Sequence, residues 1–228
     1  RKVLLIGIDG CRPDAIAAAN TPNLDRLVAA GAISTNTSIL GPRDAGSDTV
    51  SGPGSSSIYT GVWADKHGVK DNEFAGKNYG RYPHFFALLR RARPGAETAS
   101  FAAWGPIHEH ILSAATVAGG EPETGKGPEA WTAADVRVAE AAVKYLREGN
   151  PTAVCVYLGQ VDETGHAKGF HPSVAEYVAA VERADAHVGE LLRAIEERPD
   201  ATDERWLVIV TTDHGGRGTG HGDGHAVE

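Results

Sequence analysis

Apolar and polar positions divide this chain into short continuous apolar runs separated by longer stretches of helical period. Val3-Leu4-Leu5-Ile6-Gly7-Ile8 is apolar without alternation and stops at Asp9-Gly10. That is the pattern of a strand buried on both faces that runs into a loop. Ala153-Val154-Cys155-Val156-Tyr157-Leu158 and Trp206-Leu207-Val208-Ile209-Val210-Thr211 repeat it, the first followed by Asp162 and the second by Asp213-His214. Residues 98–103 predict a further strand.

Helical signals fall between these runs. Thr21 as cap, Pro22 in the first turn, a repeat to Ala30 and a stop at Gly31 predict one helix. Amphipathic period predicts others over 82–91, 132–147 and 173–198, the last being the longest. Residues 41–57, dense in Gly, Pro, Ser and Asp, read as a loop, and residues 116–130 as an exposed excursion. Strands alternating with helices predict an α/β fold with a mainly parallel sheet sandwiched by helices. No repeat and no compositional break marks a domain boundary.

The polar residues at the strand ends carry the chemical content. In open parallel sheets the ligand site lies beyond the carboxyl ends of the strands. Asp9, Asp162, His166, Asp213 and His214 can therefore converge although they are far apart in sequence, and His221 and His225 follow in a Gly-rich tail. Carboxylate oxygens and imidazole nitrogens with no thiolate in these loops suit zinc. A pair of such ions about 4 Å apart can clamp the attacking and leaving oxygens of a displacement. Taken singly, each Asp has a simpler account as a cap or turn residue and each His as a solvated loop residue. Three strand-end acids with three or more histidines favour the metal account. Residues 49–61 supply a candidate nucleophile, with Ser51, Ser55, Ser56, Ser57, Thr49 and Thr60 in competition. A hydroxyl is a weak nucleophile until a base or a metal favours its alkoxide. By composition alone the segment is also a flexible Ser/Gly linker.

The 228 residues suffice for one large domain, and a hydrophobic content of 41% predicts a real core. A net charge of -8 argues against a partner read through its phosphate backbone. It does not exclude a small phosphate ester, because bound cations would supply local positive charge. Cys11 and Cys155 lie in or beside apolar runs and read as buried free thiols. No run is long enough to span a membrane. The start at Arg1-Lys2, without Met, reads as a trimmed mature form.

Gly7-Ile8-Asp9-Gly10-Cys11-Arg12-Pro13-Asp14 resembles the opening metal motif of the alkaline phosphatase superfamily, in its nucleotide pyrophosphatase/phosphodiesterase branch. Ser51, Pro53, Thr60-Gly61, His67-Gly68 and Asn72 fall in the order and spacing of that branch, whose nucleophile is Thr or Ser. Asp162 to His166 with Gly169 beyond is similar to its Asp-x-x-Gly-His-x-x-Gly element, and Thr212-Asp213-His214-Gly215 to its Ser/Thr-Asp-His-Gly element. The resemblance covers nearly the whole chain. It implies an alkaline phosphatase-like fold, compact and without a large cap domain, as a single catalytic domain over residues 1–228 whose truncation at the C-terminus is left open. It also implies a phosphodiesterase or phosphatase with two zinc ions per domain. One zinc would take Asp9, Ser51, Asp213 and His214, and the other Asp162, His166 and a late histidine. Ser51 would attack phosphorus to form a phosphoseryl intermediate, and Asn72 would donate to a phosphate oxygen. His221 fits relatives with a compact tail, whereas His225 followed by Glu228 fits mutase-like members; His221 is favoured. The family and the trimmed start together suggest a periplasmic or secreted protein. The partner would be a small phosphate ester, not a nucleic acid polymer, and the oligomeric state is open.

Alternative functions are a sulfatase, a phosphotransferase, and a non-catalytic binding domain that keeps the fold. Ser51-Gly52-Pro53 matches the start of the sulfatase signature, but Gly54-Ser55 replaces its Ser-Arg pair, and one acid stands at Asp9 where sulfatases show two. Phe74, Trp63, Trp104 and Tyr79 are candidate stacking surfaces, with ordinary packing as the simpler account. His108 and His110 read as loop or pocket-rim residues.

Overall fold

The apolar runs form the interior of one parallel sheet. The computed structural model describes residues 1–37, 45–120 and 125–221. The strands are β1 (Lys2–Ile8), β2 (Thr98–Ala102), β3 (Val117–Gly119), β4 (Ala153–Leu158) and β5 (Trp206–Thr211), in the spatial order β3-β2-β4-β1-β5. Among the described residues every strand pairing in the sheet is parallel, with Leu4 beside both Val154 and Val208. The α/β fold with helices on both faces agrees with the sequence pattern.

The helices are α1 (Pro13–Ala18), α2 (Pro22–Ala30), α3 (Ser51–Thr60), α4 (Ala64–His67), α5 (Phe85–Ala92), α6 (Pro128–Glu148), α7 (Gln160–Lys168) and α8 (Ala175–Glu196), with one π-helical turn at Ile107–Ile111. Alternate strand residues serve two cores. Leu4, Ile6, Ile8, Val154, Val156 and Leu158 pack with α6 and α8 through Val138, Ala142, Val181 and Val188. Leu5, Cys155 and Tyr157 face the other way, onto Tyr59 of α3 and Phe86 of α5. Cys11 and Cys155 are both buried and free. Among the described residues no helix is long and apolar enough to cross a membrane.

Four local expectations need correction. Residues 51–57, read as part of a loop, form most of α3, whose first turns are buried against the sheet and neighbouring loops. Burial supplies what the weak helix formers Gly and Ser do not. The excursion over 116–130 contains β3 as a short edge strand and the first turn of α6. The strand at 206–211 is an edge strand and is not buried on both faces: Leu207 is 57% and Ile209 38% exposed. The cap at Thr21 makes no side-chain hydrogen bond. Its work is done from α8, where Asp185 accepts from Leu24 N at 2.8 Å and from Asn23 Nδ2 at 2.8 Å.

Asp185 is buried to 2% exposure and serves several N–H donors of α2, so its loss strands those donors. Asp185→Ala is expected to lower unfolding stability by about 1–3 kcal/mol. Denaturant titration checks this, and an unchanged midpoint would show that α2 needs no cap from α8.

Candidate active site

Three backbone exits at the carboxyl edge of the sheet face one another. Asp9 follows β1 and still donates its N–H to Leu158 O of β4 at 2.9 Å. Asp213 and His214 follow β5, and Thr212 stitches the two exits together: its Oγ1 accepts from Cys11 N at 3.0 Å and donates to His214 O at 2.7 Å. Asp162 and His166 lie on α7, which only Gly159 separates from β4. The free N–H groups at that start are capped by Asp135 of α6, which accepts from Gly159 N at 2.8 Å and Gln160 N at 3.0 Å. Burial pushes the Asp135 carboxyl up to about 7, against these two bonds. Gly10 lies at φ 63° with Asp162 so close that a Cβ there would sit 2.6 Å from its Oδ1, so the turn after β1 needs glycine for both conformation and space.

Ser51 is the first residue of α3, and its Oγ lies 3.2 Å from His214 Nε2 and 3.5 Å from each oxygen of Asp9. The helix comes this close because Gly54 has no side chain: a Cβ there would meet Asp213 O at 2.2 Å. Asp9, Ser51, Asp162, Asp213 and His214 are all buried. His214 Nε2 is 3.1 Å from Asp9 Oδ1 and 3.9 Å from Asp162 Oδ1. His221 Nε2 is 3.6 Å from Asp162 Oδ1 and 3.1 Å from His166 Nε2, which is itself 3.3 Å from Asp162 Oδ2. Thus Asp9, Ser51, Asp162, His166, Asp213, His214 and His221 gather at one place. Asn72 stands beside them, its Oδ1 accepting from Gly52 N at 2.7 Å. His225 lies outside the described residues.

This donor set fits divalent cations. His214 Nδ1 lies 2.7 Å from Gly215 O, and His166 Nδ1 2.8 Å from Thr219 O. A carbonyl only accepts, so each Nδ1 carries the proton and each Nε2 can present a lone pair to the centre, the arrangement usual for metal-ligating histidines. Asp162 Oδ1 is buried without a hydrogen-bond partner. Two triads have their ligand atoms within 4.8 Å of one another: Asp162, His214 and His221, and Asp9, Asp213 and His214. They share His214, whereas the sequence-based division keeps it with Asp9 and Asp213.

Without a cation, protons carry the compensating charge. Burial, then Asp213 and Asp162, push Asp9 well above the usual carboxylate range. Burial also works against ionised Asp162, but the His166 and His221 imidazoles beside it outweigh burial and hold that carboxyl far below its usual value. Asp162 in turn raises His166 to about 9, against burial. Burial alone would lower His214, but Asp213 and Asp9 carry it up to about 10.

Several supporting contacts are not among the sequence-based expectations. Tyr157, on β4 but on the face opposite Leu158, donates to Asp213 Oδ2 at 2.9 Å, and Ser55 donates to the same oxygen at 3.3 Å. Thr49 donates to His221 O at 2.9 Å. Arg12 binds Asp14 and reaches Gly216 O at 2.8 Å, tying the turn after β1 to the loop after β5. Phe170, almost fully buried, lies under His166 with ring centroids 5.1 Å apart. The Arg12–Asp14 and His166–Phe170 contacts are local, whereas those to Asp213, His221 and Gly216 join residues 56 to 204 positions apart, and no local spacing encodes them.

Other polar groups stay outside the centre. His67 Nδ1 accepts from Val69 N at 3.1 Å, so its Nε2 carries the hydrogen and donates to Ser57 Oγ at 3.0 Å. With burial lowering its pKa to about 4, His67 is a structural donor, and the Ser57–His67 pair is not a nucleophile and base. His108 binds Ser100 Oγ at 3.1 Å, and Lys77 donates to His110 Nδ1 at 2.9 Å. Phe74 is packed between Trp104 and His110, and the Tyr79 hydroxyl bonds Ser56.

The described residues thus form a parallel α/β sheet with Ser51, at the start of a helix, and an Asp/His cluster gathered at its carboxyl edge, the layout of an α/β protein with a candidate metal-dependent site. The sequence model for type I phosphodiesterase / nucleotide pyrophosphatase matches residues 3–223, and the chain belongs to that family. Rat ectonucleotide pyrophosphatase/phosphodiesterase family member 7 is 28% identical over 231 residues, covering 94% of this chain and 49% of that protein. The chain thus spans about half the length of this curated relative. Murine ectonucleotide pyrophosphatase / phosphodiesterase 5, solved as an inactive form with AMP, superposes with a TM-score of 0.66 at 18% identity, over 94% of this chain and 57% of that one. A 2-O GAG sulfatase superposes with a TM-score of 0.71 at 16% identity, over 94% of this chain and 58% of that one. At such identities the superpositions establish the fold alone.

The pH dependence of the metal-free protein follows from the sign of these shifts. A histidine whose folded pKa is raised stabilises the fold fully below its ordinary value of 6.5 and loses that contribution as pH climbs through about 9 for His166 and about 10 for His214. Asp9, raised in the fold, disfavours the folded state once it must ionise, which acts in the same direction. Chelator-treated protein is therefore expected to unfold at lower urea at pH 9 than at pH 6.5, with added metal restoring the pH 9 midpoint. Equal midpoints without metal would contradict this charge assignment.

Proposed function

We propose that this chain is a metal-dependent phosphoric ester hydrolase of the phosphodiesterase/phosphatase type, with Ser51 as nucleophile. The observation that carries the reading is the Ser51 hydroxyl, buried at the start of α3 and 3.2 Å from His214 Nε2 within the Asp/His cluster. Two zinc ions fit the nitrogen and oxygen donors best. Asp9, Asp213 and His214, with Ser51 Oγ, would hold one, and Asp162, His166 and His221 the other. When bound, the ions supply positive charge that favours the serine alkoxide and offsets charge on the phosphoryl and leaving oxygens.

The chain's own residues set up the rest. Ser51 Oγ attacks phosphorus in line, so that the P–Oγ bond forms as the ester P–O bond breaks, and the hydroxyl proton of Ser51 leaves with the ester oxygen as the alcohol. Water then cleaves the P–Oγ bond, its oxygen joining phosphorus and one of its protons restoring the Ser51 hydroxyl, which releases phosphate from a monoester substrate or a monoester from a diester. Asn72 donates from its amide to a phosphoryl oxygen and adds no charge that would compete with a metal. Tyr157 and Ser55 hold Asp213 in place, and the backbone carbonyls on His166 and His214 fix their tautomers. The sulfatase reading shares the fold, but at Ser51 the chain lacks the Ser-Arg pair of the sulfatase signature.

Protein purified without chelator is expected to contain more than one equivalent of zinc by elemental analysis. It is expected to hydrolyse a phosphate diester or monoester in preference to a sulfate ester. Ser51→Ala should retain its metal, lose at least a hundredfold in kcat, and carry no phosphoryl label after quenched turnover. A label on another residue, or near-normal turnover by Ser51→Ala, would remove Ser51 from the mechanism. Faster sulfate ester hydrolysis would favour the sulfatase.

A further inference from the structure

We infer that Gly52, the residue after the proposed nucleophile, is a positioning residue that sets the orientation of the Asn72 amide; the inference rests on the phosphoryl-transfer reading above. The backbone N–H of Gly52 lies 2.7 Å from the Asn72 amide. An N–H needs an acceptor, so the atom facing it is Oδ1 and the Nδ2 group points the other way. None of the described residues accepts from Nδ2, and Asn72 is exposed at the start of α3. Both amide hydrogens are thus left for a ligand that accepts, such as a phosphoryl oxygen.

Both partners of this bond are held. The carbonyl of Gly52 accepts from Ser56 Oγ, which is 2.7 Å from the Tyr79 hydroxyl. On the other side Asp71 Oδ1 accepts from Glu73 N at 3.0 Å. Two residues after Asn72, Phe74 takes φ 56° and buries its ring against Trp104 and His110. The 71–74 loop is pinned by that aromatic anchor and brought against α3 at Gly52. The contact leaves no room for a side chain: a Cβ on residue 52 would lie 2.5 Å from Asp71 O and 2.9 Å from Asn72 Oδ1. Residue 52 has no positive φ, so glycine is required here by space and not by backbone conformation. A methyl group must push the 71–72 backbone off the helix, and Asn72 moves with it.

Two measurements on the metal-loaded chain test this. Amide hydrogen exchange is expected to show the Gly52 N–H protected in the unaltered protein and at least about tenfold less protected in Asn72→Ala. An unprotected Gly52 N–H in the unaltered protein overturns the inference whether or not Gly52 variants fold. In kinetics, Gly52→Ala is expected to keep its metal content, lose roughly a hundredfold in kcat, as for loss of one charge-stabilising donor, and weaken inhibition by vanadate by a similar factor. Gly52→Ala/Asn72→Ala should be no worse than Asn72→Ala, because both changes remove the same contact. Gly52→Ala turnover within a few fold of normal, or losses that multiply in the double variant, would overturn the inference. If the unaltered chain turns over no phosphate ester, the proposed function fails, and the exchange measurement still decides whether Gly52 orients Asn72.

Discussion

The structure depends on bringing three buried carboxylates, Asp9, Asp162 and Asp213, to one place at the edge of a parallel sheet. Like charges at this spacing in a low-dielectric setting repel strongly, so the assembly needs compensating positive charge. The chain supplies three imidazoles, of which His166 and His214 turn Nδ1 to a backbone carbonyl and Nε2 to the acids. In the metal-free state the positive charge is held as protons on those rings. A divalent cation meets the same need without using the ring lone pairs as proton sites, so protonation and metal binding compete for the same atoms. This competition links the fold's stability to its proposed chemistry.

The same electrostatic demand shapes the packing. To bury Ser51 against His214, the first turn of α3 must approach two loops at backbone distance. Gly54 admits the Asp213 carbonyl and Gly52 admits the 71–72 peptide. These residues weaken the helix intrinsically, and burial of Tyr59 and the surrounding core offsets the loss. Asp135, Tyr157, Thr212 and Arg12 then fix the exits of the strands by hydrogen bonds between distant segments. The cost of a charged, crowded centre is thus spread over a shell of neutral and paired polar groups.

The sequence by itself determined the α/β class, because apolar runs of strand length and helical periods are local properties of the chain. Asp9, Asp162 and Asp213 were legible as candidates because each follows such a run, and the motifs around Ser51, His166 and His214 carried the family resemblance. Local signals also erred in instructive ways. The Gly/Ser-rich stretch at 51–57 is helical because neighbours bury it, and α2 is capped by Asp185, 161 residues from Leu24. The edge position of β5, with Leu207 and Ile209 exposed, depends on strand order, which no run of residues states. Only the tertiary structure decided that His214 faces both acid groups, that His221 lies on Asp162, that Tyr157 reaches Asp213 and that Asn72 turns its oxygen to Gly52. Each of these is a contact between segments far apart in the chain. Its distance is set by strand register and helix packing, and sequence spacing carries no measure of either.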